Sequence, residues 1–227
     1  MKKRVLSVFF ILIISVLSLA SCNVVKNKDY EATSSEYFEF VEREGGTYAL
    51  SVKNGVSLPE KVKLPSEYNG KPVVEVVANA FKNNEVITEI IIPAGYEIIG
   101  TEAFAYCSKL NVVNIGQYGG STSRKTTIRS SAFNGCSTLT TVTLGMCVEV
   151  IDSYAFYQTM ITTVNSRGLT KIGYCSFGSC SSLKSFYVPA SLVDIDEGAF
   201  EGSKNVSFSV SSSNAVYSVV DGKLVRK

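Results

Sequence analysis

The chain contains no histidine. That removes Ser-His-Asp and Cys-His nucleophilic systems, histidine general bases and His-ligated zinc. Gly-x-Gly-x-x-Gly, Walker and EF-hand strings are missing too. None of the six cysteines forms a Cys-x2-Cys pair, which speaks against zinc. Acidic residues are scattered, with no recurring spacing that would set two carboxylates across a cleft. Charge of one sign is also lacking: 22 basic residues face 20 acidic ones in 227. Without Lys2, Lys3 and Arg4 the balance is 19 to 20, so no basic field draws nucleic acid. These absences leave no catalytic residue, metal ligand or cofactor motif to name. The expectation is a protein that is not an enzyme.

Lys2-Lys3-Arg4 forms a positive start, followed by an apolar run from Val5 to Leu19. That run is shorter than the roughly 20 residues of a spanning helix. Leu19-Ala20-Ser21-Cys22 closes it. The order resembles the lipobox of bacterial lipoproteins, which implies removal of residues 1–21 and acylation of Cys22. Two or more acyl chains would hold the chain firmly at a membrane. Residues 22–35 are polar and read as a tether.

Six times a branched aliphatic residue stands five positions before a phenylalanine: Val76/Phe81, Ile99/Phe104, Ile128/Phe133, Ile151/Phe156, Ile172/Phe177 and Ile195/Phe200. Alanine precedes the ring in five cases and Ser176 in the other; the steps are 23, 29, 23, 21 and 23 residues. A period in the twenties is the signature of a solenoid. A unit that size cannot bury its own apolar face and must stack on its neighbours. Three residues after each ring come Asn84, Cys107, Cys136, Thr159, Cys180 and Ser203. Alternating pairs follow (Ile90/Ile92, Val113/Ile115, Val142/Leu144, Phe186/Val188), as strands require. The fourth unit is one residue short, with Ile161 at +5 instead of +6.

The expected fold is a mainly β repeat solenoid. It is a right-handed stack of about six 21–29-residue coils, with short parallel strands and short helical turns at the Ala-Phe positions. The repeat domain is read over 36–227: an N-terminal cap at 36–66, repeats at 67–204 and a C-terminal cap at 205–227, where Phe208 and Val210 drift from register. Asn69-Gly70 signals a hairpin inside the first coil. Residues 116–125 are a Gly/Ser-rich insertion in the third.

The pattern Ile-x3-Ala-Phe-x2-Cys-x2-Leu-x2-Val-x-Ile, carried almost whole by residues 99–115, is similar to the BspA-like leucine-rich repeats of bacterial surface proteins. Asn69-Gly70-Lys71-Pro72-Val73 and the terminal Asn-x-x-Tyr and Asp-Gly-Lys-Leu runs resemble the lead-in and closing segments of that family. The likeness covers roughly residues 47–227. It implies surface display at a bacterial cell envelope and binding or adhesion, with no catalytic residues.

Outward strand positions are Glu89/Ile91, Val112/Asn114, Thr141/Thr143, Thr163/Asn165 and Ser185/Tyr187. Candidate binding residues are Asn114, Thr141, Thr143, Thr163, Asn165 and Tyr187, with Tyr118 and Arg124 in the insertion. The partner expected is an extracellular protein or glycan, besides the membrane reached through lipid on Cys22. A structural spacer or self-associating scaffold stays open, as does, more weakly, a hydrolase with an unrecognised carboxylate site. Cys107 and Cys136 fall on adjacent coils about 4.8 Å apart. Free buried thiols are the reading, with a bridge between those two as the alternative.

Overall fold

Alternation of branched residues with polar ones makes strands, and a stop after every few residues keeps them short. The computed structural model describes residues 31–117 and 123–227. Residues 1–21, Cys22 and Tyr118 lie outside the described residues. Each coil contributes two strands. The first series, Lys71–Val76, Ile98–Ile99, Thr126–Ile128, Val148–Ile151, Lys171–Ile172 and Asp194–Ile195, forms one long parallel sheet. Val76, Ile99, Ile128, Ile151, Ile172 and Ile195 are successive partners in it. The aliphatic half of the repeat is thus one continuous rung-to-rung column.

The second series begins with Lys61–Lys63, Glu89–Ile92, Val112–Ile115 and Thr141–Leu144, a four-stranded parallel sheet. Thr163–Val164, Ser185–Val188 and Ser207–Val210 make a separate three-stranded one. The seam falls at the coil that is one residue short. Ile161 is drawn to the core, and a single backbone bond, Thr162 N–H to Thr140 O at 3.4 Å, crosses at its start. Seven strands in this series make about seven coils, one more than the aromatic repeats count. Phe208 and Val210 do not drift: they pair with Phe186 and Val188. They stand eight and ten residues after Phe200, where the other alternating pairs stand nine and eleven after their ring, which hid their register from the repeat pattern.

The Ala-Phe segments are not helical. Among the described residues the helical piece is the 3-10 turn Ser35–Tyr37. Instead, left-handed residues stand two before and two after the ring: Asn79 and Asn83, Glu102 and Tyr106, Ser131 and Gly135, Tyr154 and Gln158, Cys175 and Ser179. A positive φ every fourth residue breaks any helix. It also turns alternate N–H groups along the stack. Phe81, Phe104, Phe133, Phe156 and Phe177 each donate their N–H to the residue just before the next ring, namely Ala103, Ala132, Ala155, Ser176 and Ala199. The turns are therefore a third hydrogen-bonded face, and small residues before the ring let the coils approach.

The rings fill the interior. Centroids from Phe81 through Phe104, Phe133, Phe156 and Phe177 to Phe200 are 4.6, 5.0, 5.1, 5.4 and 5.6 Å apart, with planes within 15°. Phe104, Phe133, Phe156 and Phe177 are fully buried. At about 1.5–3 kcal/mol for each buried ring, this column is a main source of stability. Phe38 closes it at one end, 6.4 Å from Phe81, and Phe208 at the other, 5.0 Å from Phe200 and edge-on. Phe38–Arg43 and Thr47–Val52 form an antiparallel hairpin that joins the long sheet beside Lys71–Val76. Thr33 N–H also reaches the Lys63 carbonyl, so the chain is already pinned to the first coil there.

The last coil is closed by one buried amide. Asn214 Nδ2 donates to Pro189 O at 2.6 Å and Leu192 O at 2.9 Å. Its Oδ1 accepts from Val216 N–H and Tyr217 N–H at 2.8 and 2.7 Å. Tyr217–Val220 and Lys223–Arg226 then pair across Asp221 and Gly222, both at positive φ. The Tyr217 hydroxyl accepts the Ile195 N–H of the long sheet at 2.8 Å. This hairpin covers part of an edge that would otherwise be open.

Candidate binding surface

Side chains alternate across a strand, so burying Val113, Ile115, Val142 and Leu144 aims their neighbours outward. The four-stranded sheet sets Val112 against Thr141 and Asn114 against Thr143. Thr141 is exposed, and Asn114 and Thr143 are half-buried. Thr163 pairs with Ser185 on the three-stranded sheet, where Thr163 and Asn165 are exposed and Tyr187 half-buried. The structure therefore brings Asn114, Thr141 and Thr143 together. Thr163, Asn165 and Tyr187 form a second group beyond the seam. Ile91 departs from the outward expectation: it is 3% exposed. It sits in register between Lys63 and Asn114 along the column.

Arg124 does not join either group. Its guanidinium pairs with the Glu97 carboxylate next to the long sheet. Other ion pairs also link neighbouring coils: Arg43–Glu75 at 2.8 Å, Lys82–Glu102 at 2.5 Å and Lys171–Asp194 at 2.9 Å. A further pair, Lys61–Glu89 at 3.5 Å, lies on the strand face itself at its first two rungs.

The cysteines have a common geometry that composition does not reveal. All five described ones are free and buried. Cys107 Sγ donates to Phe81 O at 3.1 Å, Cys136 Sγ to Phe104 O at 3.0 Å and Cys180 Sγ to Phe156 O at 3.1 Å. Ser203 Oγ reaches Phe177 O in the same way at 2.7 Å. The position three after each ring is thus a donor to the carbonyl of the ring one coil back. Thr159, in the shortened coil, bonds instead to its own Phe156 O at 2.9 Å. The Cys107 thiol beside it, then burial, push the Cys136 thiol well above its ordinary range. Burial also raises the Cys180 thiol, against the neighbouring Thr159 and Ser203. Such thiols are poor nucleophiles and poor metal ligands. Among the described residues no three His, Cys, Asp or Glu side chains cluster as metal ligands would.

Concavities are shallow. One of about 570 Å³ lies against the last coil and the terminal hairpin, where Phe200, Phe208 and Tyr217 meet Lys204, Lys223 and Arg226. Another of about 390 Å³ runs along the aromatic turns from Tyr106 to Ser179. The spacing of Tyr106, Gln158 and Ser179 from their rings is visible in the sequence, but their left-handed backbone is not.

Paired sheets, a stacked aromatic axis and a turn face define a leucine-rich-repeat solenoid. Residues 120–218 match the BspA type leucine rich repeat region in six copies. Over that stretch the chain is similar to this repeat family. Solved structures agree on the fold. A Treponema pallidum leucine rich repeat protein superposes with a TM-score of 0.53 at 24% identity, covering 79% of this chain and 71% of that one. A leucine rich cell surface protein from Faecalibacterium prausnitzii gives 0.60 at 23%, over 87% and 59%. A leucine-rich repeat protein from Bacteroides ovatus gives 0.58 at 25%, over 83% and 54%. This chain spans little more than half the length of the latter two. No curated protein matches it in sequence.

Proposed function

We propose that the protein is a non-catalytic binding or adhesion protein at a bacterial cell surface, anchored through lipid on Cys22. Its strand face engages an extracellular protein or glycan. The observation that carries this reading is the in-register patch Asn114, Thr141 and Thr143 on a rigid, repeating sheet. Its side chains are uncharged, can both donate and accept hydrogen bonds, and sit on neighbouring rungs. The BspA type of the repeats supports surface display. The near-balance of charge argues against nucleic acid.

An array of extracellular-matrix proteins and glycans tests the binding. A ligand lost on Thr141→Lys/Thr143→Lys supports the strand face. Silence on the array together with concentration-dependent oligomers favours a spacer instead. Palmitate labelling of wild type and Cys22→Ala tests the anchor, which equal labelling removes.

A further inference from the structure

Four successive coils place their left-handed corner residue, two after the ring, along one line: Tyr106, Gly135, Gln158 and Ser179, at φ 60, 70, 57 and 53°. The concavity of about 390 Å³ lies along this line, with Ser137 and Met160 also on its wall. At about 4.8 Å per coil it extends roughly 14 Å along the stack. Its chemistry differs from that of the larger hollow at the C-terminal end, which carries Asp196, Glu197 and three cations. Here no charged side chain lines the wall.

Tyr106 is the wall's apolar plate. A Cβ added to Gly135 would lie 2.5 Å from the Tyr106 ring, so the ring rests on bare backbone of the next coil. Its hydroxyl meets Asn134 Nδ2 at 3.4 Å, which fixes the tilt, yet the residue stays 47% exposed. A tyrosine in left-handed conformation is costly, and the same corner holds glycine at 135 and 202 at no cost. Ser137, Gln158 and Ser179 supply the polar complement. Among the described residues their side chains have no protein hydrogen-bond partner.

We propose that this groove binds a neutral saccharide. The Tyr106 ring packs on the apolar face of a sugar, and Gln158, Ser137 and Ser179 hydrogen-bond its hydroxyls. An uncharged wall with one aromatic plate and several free donors and acceptors suits a ligand that is itself uncharged, with one apolar face and many hydroxyls. The proposal rests on the reading of the solenoid as a binding wall, and it names the ligand class and a different face for it.

The test is isothermal titration of the full chain with neutral glucan, xylan and mannan oligosaccharides, and with polygalacturonate as the acidic contrast. One neutral class is expected to bind. Tyr106→Gly, which removes the ring and eases the backbone, and Gln158→Ala should each weaken it by about tenfold or more. Tyr106→Phe should keep most of the affinity, and Lys223→Ala, exposed on the terminal hairpin, all of it. Unchanged thermal melting of Tyr106→Gly verifies the fold. Absence of any neutral-saccharide binding, or binding indifferent to Tyr106→Gly, overturns the groove. A saccharide lost on Thr141→Lys/Thr143→Lys but retained by Tyr106→Gly would overturn the groove and leave the strand-face reading standing.

Discussion

Ser176 occupies the place where the other coils put alanine, and its hydroxyl is buried without a hydrogen-bond partner. Leaving a buried hydroxyl unsatisfied costs about 1–3 kcal/mol. Ser176→Ala is therefore expected to stabilise the fold by about 1 kcal/mol, read as a rise in the urea midpoint with an unchanged slope. Phe133, in the middle of the column, should behave oppositely: Phe133→Ala is expected to cost about 3–5 kcal/mol. A loss under about 1 kcal/mol would mean that the ring is not interior. The thiols give a pH signature. Cys136 and Cys180 are held above their ordinary range, as burial holds the Tyr96 phenol. The folded state keeps protons that the unfolded chain releases, so stability is whole below about pH 8.5 and falls as pH rises beyond it. With no histidine, melting temperature should be nearly flat from about pH 6 to 8. A steep change inside that window would contradict this assignment. The ring column was legible in the sequence because burial imposes a period on residue type. The thiol-to-carbonyl bonds were not, since they depend on which coil lies behind which.

At the level of strands and turns, the missing residue in the fourth unit was visible, and its effect is a seam between Leu144 and Thr163 in the second sheet series. Amide hydrogens at Thr163 and Val164 should exchange faster than those at Val142–Leu144, measured by native-state exchange at pH 7. Equal protection would mean that the two sheets are in fact joined. The helical turns expected at the Ala-Phe pairs do not form. What prevents them is a left-handed residue on either side, and most of these are Asn, Glu, Tyr, Ser, Gln or Cys rather than glycine. No residue type announced them. Gln158 offers a check: it is exposed at φ 57°. Gln158→Gly should hold or raise the melting temperature, whereas a β-branched Gln158→Val should lower it, the left-handed state costing about 1–2 kcal/mol.

For the whole molecule, each coil touches chiefly its neighbours, so stability is a sum of rung and interface contributions and the ends matter most. Asn214 makes four hydrogen bonds to otherwise buried backbone at one end. Asn214→Ala should fray the terminal hairpin and the last coil, with rapid exchange from Ser207 onward, while the coils around Phe104 and Phe133 stay protected. Loss of protection throughout would instead indicate one cooperative block. Here too the sequence was readable in part. Asp221-Gly222 marked the hairpin, but Phe208 and Val210 looked out of register because one residue fewer separates them from Phe200 than separates the other pairs from their rings.

The amide ladder along the aromatic turns always runs one way: three N–H groups per boundary point from each coil to the next, across the five boundaries between Phe81 and Phe200. In the strands such dipoles alternate and largely cancel. Along the turns they add, as in an α-helix. The solenoid is thus electrically polar along its length, with its positive pole beside Lys204, Lys223 and Arg226. An ion approaching from either extremity would meet an opposite field.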